Sequence, residues 1–386
     1  MFVSYRLKRL LLLCLLLCLP AQMTASAPPK IEAQSAILMD AKTGEILYEK
    51  NSRIRRAPAS TTKVLTAIIA IESGRLDDEV QISLRAASTS GSSMHLSAGQ
   101  RILLRELVTG LLLRSGNDAA VAIAEHLAGS VENFASLMNH KVELLNAIDS
   151  HFVNPHGLND PLHYSTAFDL AWITRYALTN PFFASIVNTR ETNIDWLDRG
   201  GKEHDQSLKN TNKLLWLLAE VDGVKTGTTS QAGPCLISSA TRGNQQLIAV
   251  VLHDHSRWND SMQLLKYGFD AYELYDYAST NDIACAIPIE NGLSPVVDAV
   301  VNSQASLVVK AADYEHVTVA VDLPEKIKAP VYQGQKIGEI VFLVREQPVK
   351  TVDIIAGQTI DEHSKSRTFL NYLLRTFHRL YNWGVL

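Results

Sequence analysis

The chain predicts an α+β fold: one antiparallel sheet with helices packed on it, then a small all-β domain, then a C-terminal amphipathic helix. Three observations carry this. Strand-type segments lie at both ends of a long helical middle. After Ser279 the text shifts to short β-branched runs punctuated by Pro and Gly. In residues 359–386, apolar and basic residues alternate at helical intervals.

The N-terminus predicts a secretory signal over residues 1–27. Arg6, Lys8 and Arg9 precede an apolar run from Leu10 to Leu19, and Ala25-Ser26-Ala27 supplies a small-x-small cleavage site. The run is too short for a comfortable membrane span, so the mature protein is expected to be exported and to start near Pro28. Cys14 and Cys18 leave with the signal, and nothing upstream of them favours lipidation. The remaining pair, Cys235 and Cys285, is expected as two free thiols, the first in a core strand.

Residues 28–278 form the first predicted domain. Residues 35–40 and 45–49 are apolar runs around the Gly-containing turn 41–44, which reads as a hairpin. Pro58 then precedes a helix over 59–72, where a helix start tolerates proline. Helices are expected over 103–114, 119–127, 131–148 and 165–178, with Ser115-Gly116-Asn117 in the loop between the first two. Residues 236–240 and 247–252 read as adjacent strands, and 261–275 as a closing helix. The second domain, 279–358, carries runs such as Ser306-Leu307-Val308-Val309 with no helical period. In the third segment, Lys365, Arg367, Arg375, His378 and Arg379 lie between Phe369, Leu373, Phe377, Tyr381 and Trp383. That is the pattern of a helix in a membrane interface; docking on the β domain is the plainer possibility.

At 386 residues, with 46% apolar and 20% charged residues, the chain has ample core for two domains. A net charge of −4 gives no reason to expect nucleic-acid binding.

Three short stretches carry chemistry. Ser60 and Lys63 are three apart at the start of a helix, so they share a face and the amine can lie beside the hydroxyl. A serine is a poor nucleophile until a base takes its proton, and lysine serves once burial or another cation lowers its pKa. Alone this is weak, because a surface Ser and Lys on a packed helix fit it equally well. Ser115-Gly116-Asn117 and Lys225-Thr226-Gly227 change the weighting. Ser-x-x-Lys, Ser-x-Asn and Lys-Thr-Gly, in that order, are the signature of penicillin-binding proteins and serine β-lactamases.

Further text narrows the resemblance. Ser92-Ser93-Met94, the run from Leu112 to Ala120, Asn154-Pro155-His156-Gly157-Leu158, His163-Tyr164-Ser165-Thr166-Ala167 and Asn210-Thr211-Asn212-Lys213-Leu214-Leu215 resemble the D-alanyl-D-alanine carboxypeptidases of serine peptidase family S11. The likeness runs from about Ser35 to Phe269, and over the β domain only the architecture agrees. It implies removal of the terminal D-alanine from peptidoglycan stem peptides ending in D-Ala-D-Ala, and covalent inhibition by β-lactams. Ser60 would be the nucleophile and Lys63 its base, with Lys225 a second cation that depresses Lys63 and attracts the substrate carboxylate. Ser115 would relay the proton to the leaving amine, and Asn117 would hold Lys63 or the substrate amide. The backbone amides of Ser60 and Thr228 would form the oxyanion hole. Thr226 and Thr228 would grip the carboxylate, with Gly227 leaving room for the substrate backbone. No metal or organic cofactor is needed. The partners would be the stem peptides and, through the tail, a membrane surface on the outer side of the cytoplasmic membrane.

Plainer readings stand beside these. His156 is expected as a structural histidine in a turn bordering the site, because Lys63 already fills the base role. His253 and His255 are too few ligands for zinc, and Arg257 and Asp260 read as a structural ion pair. A class A β-lactamase would need a deacylation Glu, but Glu143 and Asn146 stand three apart in an apparent helix rather than four apart in a loop. Two further rivals are a silent peptidoglycan-binding protein, against which the complete catalytic set speaks, and a transpeptidase, for which no separate signature can be read.

Overall fold

The computed structural model describes residues 27–363, 373–375 and 378. The predicted signal falls outside them except for Ala27, as does most of the predicted C-terminal helix. Residues 373–375 and 378 are helical. Ile360 and Glu362 instead form single β-bridges to Val331 and Gly292, so the tail leaves the β domain extended.

The first sheet has the order β2-β1-β9-β8-β7, built from β1 (Ser35–Asp40), β2 (Ile46–Lys50), β7 (Val221–Thr229), β8 (Gly233–Arg242) and β9 (Gln245–Leu252), all antiparallel. Its strands are apolar on both faces. Ile37, Met39, Ile237, Ile248 and Val250 enter one core with the helical middle, while Leu38, Leu236, Leu247, Ala249 and Val251 enter another under a C-terminal helix. Strand β7, which carries Lys225-Thr226-Gly227, is one of the sheet's two edge strands, opposite β2.

The helical middle begins with a 3-10 turn, Ala59–Thr62, that runs into α1 (Lys63–Glu72). After β3 (Glu79–Gln81), α2 (Leu84–Ala87) and β4 (Arg101–Leu103) come α3 (Leu104–Leu113), α4 (Asn117–Ala128), α5 (Val131–Leu144), α6 (Ala167–Leu178) and α7 (Pro181–Asn188). Caps fix the starts of several. Ser130 accepts from the amide of Asn133 at 3.1 Å, Thr166 from Asp169 at 3.0 Å, and Asn180 precedes Pro181 at the first position of α7. Helix α5 is shorter than expected. It stops at Leu144 because Asn146 adopts a left-handed φ of 58°.

Two features depart from expectation. Strands β3, β4, β5 (Glu191–Leu197) and β6 (Glu203–Lys209) make a second, four-stranded sheet, which the sequence did not signal because only Ile194 and Leu208 of its hairpin are buried. After the short α8 (Leu214–Leu217) and strands β7–β9, the closing helix α9 spans Arg257–Ala271, and Tyr272–Ala278 is strand β10, not helix. Its alternating aromatics mark the strand: β10 pairs with β13 (Ala305–Lys310).

The β domain's main sheet runs β14-β16-β17-β12-β11-β15. These are β11 (Ile283–Glu290), β12 (Val296–Val301), β14 (Val317–Asp322), β15 (Ile327–Lys328), β16 (Lys336–Val344) and β17 (Gln347–Ala356), around Val297, Ala299, Phe342 and Ile354. Cys235 is buried, Cys285 is exposed, and both are free.

Candidate active site

Ser60 sits in the 3-10 turn that opens α1, against the edge strand. Ala59 before it has φ 49°, and the turn is held from two sides. Gly157, itself at φ 85°, packs so tightly beneath it that a Cβ there would fall 1.8 Å from the carbonyl oxygen of Ala59. A Cβ on Gly227 would stand 3.0 Å from the amide nitrogen of Ser60 and 3.1 Å from that of Thr61. The resemblance assigns that space to the substrate backbone; the protein's own nucleophile turn occupies it.

Lys63 is fully buried and has three partners. Its Nζ lies 2.9 Å from Ser60 Oγ, 2.7 Å from Asn117 Oδ1 and 2.8 Å from the carbonyl oxygen of His156. Asn117 can point only one way. Its Nδ2 donates to the Ser90 carbonyl at 2.7 Å, leaving Oδ1 for the lysine. A Cβ on Gly91, at φ 93°, would come within 2.6 Å of that Nδ2, so the loop needs glycine there. Asp118, to which the sequence points for no role, pins the same loop: it accepts from Ser93 Oγ at 2.6 Å and from the amides of Met94 and Leu96 at 3.0 and 3.1 Å.

Burial pushes the Lys63 ammonium well below its usual range, and Lys225 adds to this while Asp118 opposes it. Lys225, also buried, is lowered to about 7 by burial and by Arg257, and its Nζ donates to the Thr226 carbonyl at 3.0 Å. A neutral amine has two hydrogens and one lone pair. With its hydrogens given to Asn117 Oδ1 and the His156 carbonyl, the lone pair of Lys63 faces the Ser60 hydroxyl.

The structure brings Ser60, Lys63 and Asn117 into direct contact. Ser115 lies two residues before Asn117, in the loop ahead of α4, with φ 62° and 5% exposure. Thr226 Oγ1 pairs with Thr211 Oγ1 at 3.0 Å, and exposed Thr228 donates to the Gly227 carbonyl at 2.6 Å.

The expected Arg257–Asp260 ion pair does not form. Arg257 Nη1 instead donates to the Gly227 carbonyl (2.8 Å), Thr228 Oγ1 (2.9 Å) and the Cys235 carbonyl (3.1 Å). Asp260 turns away to accept from the amides of Glu32 and Ala33. Because α9 begins four residues earlier than its apolar period indicated, Arg257 falls on its first turn, at the end of the edge strand.

The histidines are structural. His156 Nδ1 accepts from the Leu158 amide at 3.2 Å, and burial together with Lys63 lowers it to about 3. His163 Nδ1 accepts from the Val153 amide, so its Nε2 carries the hydrogen and donates to Thr62 Oγ1 at 2.9 Å. Glu143 is not placed for deacylation; its side chain is 75% exposed beside His140.

With this geometry in hand, comparison with known proteins is specific. The family model described as D-alanyl-D-alanine carboxypeptidase matches residues 21–256, and the one described as penicillin-binding protein 5, C-terminal domain, matches residues 272–362. The D-alanyl-D-alanine carboxypeptidase DacF of Bacillus subtilis is 34% identical over 354 residues, 89% of each chain. DacD of Escherichia coli is 33% identical over 89% of this chain and 91% of its own. Among solved structures, penicillin-binding protein 5 of Haemophilus influenzae superposes with a TM-score of 0.75 at 30% identity, covering 87% of this chain and all of that one. The Streptomyces K15 DD-transpeptidase gives 0.61 at 32% identity over 63% of this chain and 99% of its own. The chain belongs to the D-alanyl-D-alanine carboxypeptidase family of low-molecular-mass penicillin-binding proteins. It is a serine-type hydrolase acting on peptidoglycan peptides.

Proposed function

We propose that Ser60 is the nucleophile and Lys63 its base. The observation that carries this is the lysine's hydrogen-bond count: two acceptors occupy its hydrogens and the third neighbour is the Ser60 hydroxyl. Ser60 attacks the penultimate D-alanine carbonyl, and its proton passes to Lys63. The amides of Ser60 and Thr228 take the developing oxyanion. Lys63 returns that proton through the Ser115 hydroxyl to the nitrogen of the leaving D-alanine, and water then hydrolyses the ester and frees Ser60. Lys225, Thr226, Thr228 and Arg257 form the cationic and hydroxyl-bearing end of the site that receives the terminal carboxylate, and Asn117 keeps Lys63 aimed.

A β-lactam offers the same carbonyl and carboxylate and would stop at the ester. Carboxypeptidase is favoured over β-lactamase by the solvent-facing Glu143. The protein would work outside the cytoplasm, exported by residues 1–27 as a catalytic domain (28–278) and a β domain (279–358). Residues 359–386 would anchor it on the membrane surface. No described helix is long and apolar enough to cross a membrane.

The test is D-alanine release from a peptide ending in D-Ala-D-Ala. Wild type should release it and Ser60→Ala, folded by circular dichroism, should not. Retained turnover in the variant would move the nucleophile elsewhere.

A further inference from the structure

At the turn between β9 and α9 lie two acidic side chains that form no salt bridge among the described residues. Asp254 and Asp260 are each 1% exposed. Asp260 Oδ2 accepts from the amides of Glu32 (2.6 Å) and Ala33 (3.1 Å), which ties α9 to the N-terminal segment. Asp254 Oδ1 accepts from the Ser256 amide at 2.9 Å. The Asp254 backbone donates to the Pro234 carbonyl at 2.8 Å and accepts from the Arg257 amide at 3.2 Å, so it spans β8 and the residue that clamps β7. Among the described residues, no donor reaches Asp254 Oδ2. A buried carboxylate oxygen without a donor is costly, and the side-chain partner within reach is the Asp260 carboxyl. Two carboxylates only accept; they can hydrogen-bond each other when one holds a proton.

We infer that Asp254 and Asp260 share one proton across this turn, and that the proton positions Arg257 against the Thr228 end of β7. The second half rests on the proposed role of Arg257 at the carboxylate end of the site. When the proton is lost, two like charges face each other in a buried space, the turn opens, and the guanidinium loses its fixed approach to Gly227 and Thr228. The groups facing the pair point the same way. Glu32, which accepts from Ser256 Oγ at 2.6 Å, adds negative charge from the N-terminal segment. Tyr48 on β2 and Cys235 on β8 are both pushed up by burial and stay neutral; of the nearby cations, Arg257 interacts with Asp254, while Arg56 acts on Cys235 and Lys50 donates to the Ile31 carbonyl. Burial first, then Asp260, raise the Asp254 carboxyl to about 6, against the Ser256 amide. The native state therefore binds the proton more tightly than the unfolded chain, and stability is lost as pH rises through about 6.

The experiment uses the mature protein and Asp254→Asn, which keeps the shape and supplies a permanent N–H donor. Melting temperature is followed from pH 4 to 8. Wild type should lose stability relative to the variant between the ordinary carboxyl value of 3.8 and about 6, and run parallel to it above; curves parallel throughout would overturn the shared proton. Between pH 5 and about 6.5, below the Lys225 transition near 7, wild-type KM for a D-Ala-D-Ala peptide should rise several-fold while the variant's stays level, with kcat changing alike in both. A vanished stability step with coincident KM profiles would retain the proton but overturn its positioning of Arg257. If Arg257→Leu leaves KM unchanged while the stability step persists, the proposed role of Arg257 fails and the shared proton stands. Should Asp254→Asn fail to fold, Asp260→Asn reads the same step, and a step of wild-type size in that variant would overturn the pair.

Discussion

The Cβ that Gly227 lacks would stand 3.0 Å from the amide nitrogen of Ser60. The edge strand and the Ser60 turn therefore touch backbone to backbone, and the spacing between them is fixed by a missing methyl group. Gly227→Ala should push the Ser60 turn by a few tenths of an ångström. We expect kcat to fall at least about tenfold, while stability falls by about 1–3 kcal/mol. Steady-state kinetics beside a urea titration separate the two, and unchanged kcat would show that the contact is slack.

Lys63→Arg should be nearly inactive although it keeps the charge. An arginine cannot deprotonate at accessible pH and so cannot take the Ser60 proton; the loss should be about 10²–10⁴-fold in kcat. Asn117→Ala should do less, because the His156 carbonyl still holds the amine, but should shift the pH dependence of kcat. Wild-type levels of acylation by a β-lactam in Lys63→Arg would remove the lysine from the base role.

The pH profile has a defined sign. Catalysis needs Lys63 neutral, so kcat should rise as pH increases through a pKa well below the ordinary lysine value of 10.5. Carboxylate attraction needs Lys225 charged, so KM should rise above about 7. Lys225→Met should remove that alkaline limb and raise KM below about pH 7, where the wild-type ammonium is charged.

Stability gives a second, independent readout of Lys225. Its folded value is about 7 against an ordinary 10.5, so between those limits the unfolded chain binds the extra proton and stability rises with pH. The buried charge costs on the order of a few kcal/mol at low pH. Lys225→Met should therefore melt higher than wild type at pH 6, by differential scanning calorimetry, with the gap closing toward pH 10. A lower melting temperature at pH 6 would mean that the ammonium is better solvated than its burial implies.

Removal of the residues after His363 should shift the protein from the membrane to the soluble fraction without altering kcat. An unchanged distribution would count against the C-terminal surface anchor.

The catalytic set was legible because its chemistry is local. Ser60 and Lys63 share one helical turn, so their contact could be read from spacing, and the order of the three motifs pointed to Asn117 beside them. Arg257 was not legible, since its partners are two carbonyls and a hydroxyl on other strands. Nothing local distinguishes that from the ion pair with Asp260 that three-residue spacing invites. Asp118 hides for a related reason: it acts through a loop more than twenty residues away in sequence. The second sheet escaped because only Ile194 and Leu208 of its hairpin are buried, and β10 because its aromatics continue the apolar period of α9.

The central claim is a covalent ester on Ser60 that water removes slowly when the acyl group is a drug. The most direct measurement is the intact mass of the mature protein over time with benzylpenicillin, beside Ser60→Ala. We predict a persistent adduct of one drug molecule on wild type and none on the variant. Rapid loss of the drug without a lasting adduct, or an adduct that survives in Ser60→Ala, would contradict it.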